Sequence, residues 1–359
     1  MLTLVPPTTV AVTAAAEAEL RRSAPDAGQP QRGQLERQVR ETIRTLNYSR
    51  RTEQAYWHWT KMFVLWARKR HPLEMGAAEI RDFLAWLANE RDVSASTQRQ
   101  ALHAILFTYK KVLQVDVPWI EDIPRAKQPT RLPCVLTRNE VARLFQHIGG
   151  PTAADEKRAL VLRLLYGCGL RLMEALRLRV KDIDLDSRRI TVREGKGNKD
   201  RVVPLPVALV QPLASLLEER AAWHQVDLQA NRADVELPHA LRAKYPNAAR
   251  TLAWQFAIAT DTYVRCPRTN VWRRHHLHED GVQRMMKRAV QRAGIHKPAS
   301  CHTLRHSYAT HLLQGGADVR KIQQLLGHAQ IETTAIYLHV IGDAGSGIVS
   351  PLDQLGALA

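Results

Sequence analysis

From Leu35 onward, apolar residues recur at helical spacing. Leu35, Val39, Ile43 and Leu46 make one stripe; Tyr56, Trp59, Phe63 and Trp66 a second; Ile80, Phe83, Leu84 and Leu87 a third; Leu102, Ile105, Leu106, Tyr109 and Leu113 a fourth. Four such helices cover one another's apolar faces, so residues 34–120 are expected to fold as a compact four-helix domain. Residues 1–33 are rich in Ala, Pro, Thr and Ser without a sustained period and read as a flexible extension. Residues 121–135, with Pro124, Pro129 and Pro133 among basic residues, read as an extended interdomain linker.

A second domain is expected over residues 136–342, with a tail at 343–359. It opens on a capping box, Thr137 with Glu140, followed by Val141, Leu144, Phe145 and Ile148 on one helix face. An apolar helix then runs into Gly167 and Gly169, and a further helix opens at Arg171. After Asp186 the period becomes two: Ile190 and Val192, a turn through residues 194–200, then Val203 and Leu205, the pattern of a β-hairpin. Residues 302–313 read as a helix ended by Gly315 and Gly316. Asp318 can cap the next helix, whose stripe is Ile322, Leu325 and Leu326, and Gly327 stops it so that His328 falls on the bend. Tyr337 lies in a short stretch that could hold a phenol at the edge of a site rather than buried in it. The fold class is therefore mainly α with a small antiparallel β-sheet, the second domain being α+β.

Charge narrows the partner. The chain has 359 residues, 45% hydrophobic and 24% charged, but 52 Lys and Arg stand against 35 Asp and Glu, a formal net charge of +17. An excess of that size points to a polyanion, nucleic acid first, although a solvated basic surface would have the same composition. Arg50, Arg51, Lys61, Arg99, Lys110 and Lys111 lie between the stripes of the first domain, where phosphate contacts would fall. No apolar run has the length of a bilayer span, and the N-terminal segment lacks a basic start and is broken by Pro6-Pro7, so a cytoplasmic protein is expected, with no membrane association. Cys134, Cys168, Cys266 and Cys301 show no C-x-x-C spacing and read as small hydrophobes, with no metal ligands among them.

The candidate chemistry is concentrated near the C-terminus. His302 and Arg305 lie three apart on a predicted helix and can face one small anion. Upstream, Arg171 opens a helix beside a glycine turn, with Glu174 one turn on; alone, R-x-x-E is an ordinary helix-surface ion pair. Lys196 stands between two glycines in the hairpin turn, and Lys199 competes with it. The ordered set H-x-x-R, then L-L-G-H, then a tyrosine nine residues later resembles the active site of the tyrosine recombinases. That resemblance covers about Leu35 to Val340. It implies an N-terminal core-binding domain and a catalytic domain, and an enzyme that cuts and rejoins DNA through a 3′-phosphotyrosine without a cofactor.

By the same resemblance, Arg171 and Arg305 bind the nonbridging oxygens, His302 and His328 add hydrogen bonds, Glu174 supports Arg171, Lys196 is the general acid, and Tyr337 attacks. A phenol has a reference pKa of about 10, and neighbouring guanidinium charges should favour its ionised form. Strand exchange in this family implies a homo-tetramer on DNA.

The stretch of about 240–280 resembles the insert of the integron integrases, which implies recombination of gene cassettes at duplex attachment sites and folded single-stranded sites. Trp254, placed within a helix, with Pro267, Arg274, His275 and His276, would grip extrahelical bases by stacking beside cations. The alternative is that Trp254 is core and the histidines are surface residues; a zinc site is not expected, because no cysteine joins them at ligand spacing. A phage or Xer-type integrase acting on duplex DNA, a type IB topoisomerase, or a catalytically silent DNA-binding protein on the same fold remain the alternatives.

Overall fold

The stripes of the first domain become helices α1 (Gln34–Thr45), α2 (Arg50–Trp66), α3 (Ala77–Asn89) and α4 (Ala95–Phe107) in the computed structural model. The structure describes residues 33–116, 133–193, 200–237, 241–266 and 270–345, and the chain divides into two compact units, Met1–Thr130 and Arg131–Ala359.

In the first unit the Ser49 and Ser94 side chains accept from the backbone N–H of Thr52 and Thr97, which fixes where α2 and α4 begin. Phe63, Ile80, Phe83, Leu84, Leu87, Leu102 and Ile105 fill its core. The fourth stripe does not continue as regular α-helix: Thr108–Val112 widen into a π-turn. The turn lets the Thr108 hydroxyl reach that of Thr60 at 2.8 Å and the Tyr109 hydroxyl donate to the Pro72 carbonyl at 2.8 Å. Leu46 falls outside α1 and is exposed, so the first stripe ends at Ile43. Periodicity gave no sign of Glu53, a buried carboxylate clasped by Arg40 and Arg44 at 2.9 and 2.8 Å.

In the second unit the predicted capping box forms: the Thr137 N–H donates to Glu140 and the Glu140 N–H to the Thr137 hydroxyl, opening α5 (Arg138–Gln146). Next come α6 (Ala153–Gly167), the short α7 (Leu172–Leu176), strands β1 (Ile183–Asp184), β2 (Arg189–Val192) and β3 (Arg201–Pro204), α8 (Val207–Gln229) and the single turn α9 (Leu241–Lys244). β4 (Val264–Arg265) and β5 (Trp272–Arg273) precede α10 (Glu279–Arg292), α11 (Cys301–Gln314), α12 (Val319–Leu326) and α13 (Glu332–Gly345). The predicted hairpin is β2–β3, with Ile190 opposite Val203, and β1 adds a third antiparallel strand on β2.

Helix α6 is the central column. Its Leu160 to Leu165 face packs with residues of α5, α7, α8, α10 and α11 in one continuous core. The mainly α architecture with small antiparallel sheets is thus as the patterning indicates. No helix among the described residues is long and apolar enough to cross a membrane.

Candidate active site

Two glycines with left-handed backbone bring separate helices into contact. Gly169 has φ +64, and a Cβ there would lie 2.5 Å from the Tyr308 ring, so only glycine lets the turn before Arg171 press against α11. Gly327 has φ +63 and terminates α12, where a Cβ would meet Arg201 at 3.0 Å.

The C-terminal end of α12 is the negative end of the helix, and three arginines converge on it. Arg201 Nε donates to the Leu325 carbonyl at 2.8 Å, Arg305 Nη2 to that of Leu326 at 2.5 Å, and Arg171 Nη2 to that of Gly327 at 3.5 Å. These successive carbonyls have no partners within the helix, and the guanidiniums supply them.

Glu174 ties the arginines together. Its carboxylate accepts from Arg171 Nη1 at 2.7 Å and the Arg171 N–H at 2.8 Å, and takes the Arg201 fork at 2.6 and 3.0 Å. Burial alone would raise its pKa, but the hydrogen bonds from Arg201 and Arg171 hold it down, at about 2. Arg201 was not among the sequence-predicted site residues. Its only signal was a basic residue closing a hairpin, and its partner lies 27 positions away.

Arg305 is almost wholly enclosed, its side chain 4% exposed. Besides Leu326, it donates to the Gly169 carbonyl at 2.6 Å and lies 3.2 Å from His328 Nε2. Burial and then Arg171 push its pKa down to about 9, which still leaves it charged at neutral pH. Arg305 therefore clamps the glycine turn and the α12 terminus as well as offering charge. Arg171, 24% exposed at its side chain, is the more open of the two cations.

His328 is held at both nitrogens, with Nδ1 2.9 Å from the Thr334 hydroxyl and Nε2 towards Arg305. Burial, Arg305 and Arg171 depress its pKa to about 4, so it is neutral at physiological pH. His302 stands at the open side of the cluster, and burial with Arg305 and Arg171 lowers its pKa too.

Tyr337 departs from two expectations. It sits in the regular helix α13 and is 2% exposed, buried against Tyr308, Ala309, Ile322 and Leu326 rather than held at an edge. Its pKa is raised, because burial outweighs the lowering by Arg305 and Arg171, so the neutral phenol is favoured. Its hydroxyl lies 2.8 Å from His306 Nδ1, a residue the sequence reading passed over. The available signal was position: His306 is one helical turn beyond His302 and so on the same face. Lys196, Lys199 and Pro267 lie outside the described residues.

The predicted base-binding residues divide into two groups. Trp254 lies on a 3-10 turn, Leu252–Trp254, not in a helix, and is half-buried. The Lys181 ammonium sits 2.9 Å from its ring centroid. The Arg179 guanidinium lies 5.4 Å from Trp254 and 4.7 Å from Phe256, and Phe256 in turn touches His275 and His276 at 5.1 and 5.2 Å. Trp254, His275 and His276 thus belong to one chain of contacts, with the two imidazoles 4.1 Å apart. Burial lowers both histidine pKa values, that of His276 to about 4.

Arg274 faces elsewhere, which corrects its expected place at a base. It is wedged between Trp223 and Tyr263 at 4.2 and 4.5 Å, and donates to Asp227 and to the carbonyls of Thr260 and Asp261. Its side chain, 10% exposed, secures the insert's framework.

Guanidiniums and neutral imidazoles beside a buried phenol offer positive charge and hydrogen bonds to an anion. The Phage integrase family profile matches residues 134–342, and that of the Phage integrase N-terminal SAM-like domain matches residues 35–119. The chain belongs to the phage integrase family of tyrosine recombinases, enzymes of DNA strand transfer. An integrase/recombinase from Escherichia coli is 49% identical over 321 residues, covering 89% of this chain and 94% of that protein. Tyrosine recombinase XerD of Bifidobacterium longum is 33% identical over 287 residues, covering 77% of this chain and 83% of XerD. The fold resembles that of a lambda integrase dimer bound to a core site, with a TM-score of 0.57 at 15% identity over 88% of this chain and 97% of the other.

Proposed function

We propose that this chain is a site-specific recombinase of the integron integrase type, which inserts and excises gene cassettes by cutting and rejoining DNA through a 3′-phosphotyrosine. The observation that carries the reading is the gathering of Arg171, Arg305 and His328 around Tyr337, with His302 beside the same two arginines. The scissile phosphate enters on the open side, at Arg171 and His302. The Tyr337 oxygen attacks phosphorus, the bond to the 5′ oxygen breaks, and Lys196 delivers the proton that this oxygen requires. The ester bond is conserved in the phosphotyrosine, so a 5′ hydroxyl from a second strand reverses the step and exchanges strands. The domains at 34–120 and 136–342 each bind DNA, four protomers share the two recombining sites, and the work is done in the cytoplasm.

The insert supports the folded single-strand reading through the half-buried Trp254 with its cations Lys181 and Arg179, continuous with His275 and His276. A base flipped from a hairpin stem can stack there, at about 1–3 kcal/mol per base. Tyr337→Phe should abolish the covalent adduct on a nicked suicide substrate while leaving DNA binding within a few-fold. Trp254→Ala should weaken binding to a bulged hairpin by roughly five- to a hundredfold and leave paired duplex of the same sequence nearly unaffected. An unchanged ratio of the two affinities, in Trp254→Ala and in the His275→Ala with His276→Ala variant, would replace the integron reading with a duplex-acting, Xer-type recombinase.

A further inference from the structure

Cleavage requires the Tyr337 hydroxyl to lose its proton as its oxygen bonds to phosphorus, and the site is poorly arranged to ionise the phenol beforehand. The ring is 2% exposed, so water has little access to the hydroxyl. Arg305 and Arg171 favour a phenolate less than burial disfavours it, and their guanidiniums are engaged by the carbonyls of Gly169 and Leu326 and by Glu174. A proton acceptor must therefore already touch the oxygen. His306 Nδ1 lies 2.8 Å from it and accepts when the ring carries its proton on Nε2.

We infer that His306 is a catalytic residue that takes the Tyr337 proton during strand cleavage and returns it on rejoining. It rests on the reading of Tyr337 as the nucleophile. In the step, the phenolic O–H bond breaks and the proton passes to Nδ1 while the tyrosyl oxygen forms its bond to phosphorus. The P–O bond to the departing 5′ oxygen breaks, and that oxygen takes a proton from the general acid. The imidazolium is neutralised when a 5′ hydroxyl attacks the phosphotyrosine and the phenol re-forms. No oxidant or further reactant enters.

The surroundings of His306 explain why it serves only with DNA in place. His302 and Arg305 on its own helix, and His328 beyond α12, disfavour a positive charge on the ring. Before DNA binds it is a neutral acceptor, with its pKa down at about 4, burial being the largest cause. A phosphate seated among the arginines brings the opposite charge and offsets those cations, which raises the proton affinity of Nδ1 when the nucleophile needs it. His302, Arg305 and His306 lie at i, i+3 and i+4, so one helix face presents the phosphate contact and the proton acceptor together.

The test is single-turnover formation of the covalent adduct by the full chain on a nicked suicide substrate. His306→Ala and His306→Gln should each slow the adduct by about a hundredfold or more, the scale of lost general-base catalysis, with DNA affinity and melting temperature near those of the parent. Glutamine can accept the hydrogen bond but cannot take the proton, so a normal rate in His306→Gln would overturn the proposal in favour of a purely positioning role. Replacing Tyr337 by a difluorotyrosine, whose phenol is more acidic, should restore either variant to within about tenfold of the parent. Absence of that rescue, or a normal rate in His306→Ala, would overturn the proposal. A covalent adduct persisting in Tyr337→Phe would instead remove the nucleophile assignment itself.

Discussion

Glu174→Gln tests whether the arginine cluster is held by one carboxylate. The substitution keeps the size of the side chain and removes its charge, leaving Arg171, Arg201 and Arg305 facing one another. The depression of the Glu174 pKa from 4.5 to about 2 measures how much more strongly the folded cluster holds the ionised form. That difference corresponds to about 3 kcal/mol at neutral pH, and the side chain is only 10% exposed, so solvent screens little of it. Because the folded pKa is depressed, this stability is fully present above the unfolded-state pKa. It is lost as pH falls from about 4.5 towards 2. Urea unfolding of the parent and Glu174→Gln at several pH values should therefore show a gap of about 3 kcal/mol that is flat from pH 8 to about 5.5 and shrinks to roughly half near pH 3. A variant within about 0.5 kcal/mol of the parent at pH 7, or a gap that widens on acidification, would refute the reasoning.

Gly169→Ala should cost at least about 2 kcal/mol in unfolding free energy, since the added methyl meets the Tyr308 ring at a positive φ; a melting temperature equal to the parent's would contradict the close approach. Arg201→Lys keeps the charge but loses the fork on Glu174 and the bond to Leu325, and should lower stability by roughly 1–3 kcal/mol together with the cleavage rate. Arg171→Ala should lose about a hundredfold in cleavage on the suicide substrate while remaining folded, because its guanidinium is the more open one. Lys196→Ala should recover cleavage on a substrate with a 5′-bridging sulfur, whose leaving group needs no proton; recovery by Lys199→Ala instead would move the acid to Lys199.

Sequence alone determined what local physics determines. Helical spacing located α1 to α4, the Thr137–Glu140 box located the start of α5, and alternation located β2 and β3, because each signal lies within a few residues of the element it specifies. The glycines before Arg171 and His328 were visible as turn residues, and the structure adds why they must be glycine: the Tyr308 ring and the Arg201 side chain occupy the space of a Cβ. The spacing of His302, Arg305, His328 and Tyr337 marked a candidate site without showing its interior.

Tertiary structure alone decided which atoms meet. Arg201 reaches Glu174 across 27 positions, Arg305 reaches Gly169 across 136, and Tyr337 reaches His306 across 31, separations over which periodicity carries no information. Likewise, Arg274 and His275 are neighbours in sequence, yet one is spent on Asp227 and the other packs on Phe256. Burial, too, is a property of the assembled core: it favours the neutral Tyr337 phenol against the pull of two guanidiniums, and the same packing sets the His306 imidazole beside its hydroxyl.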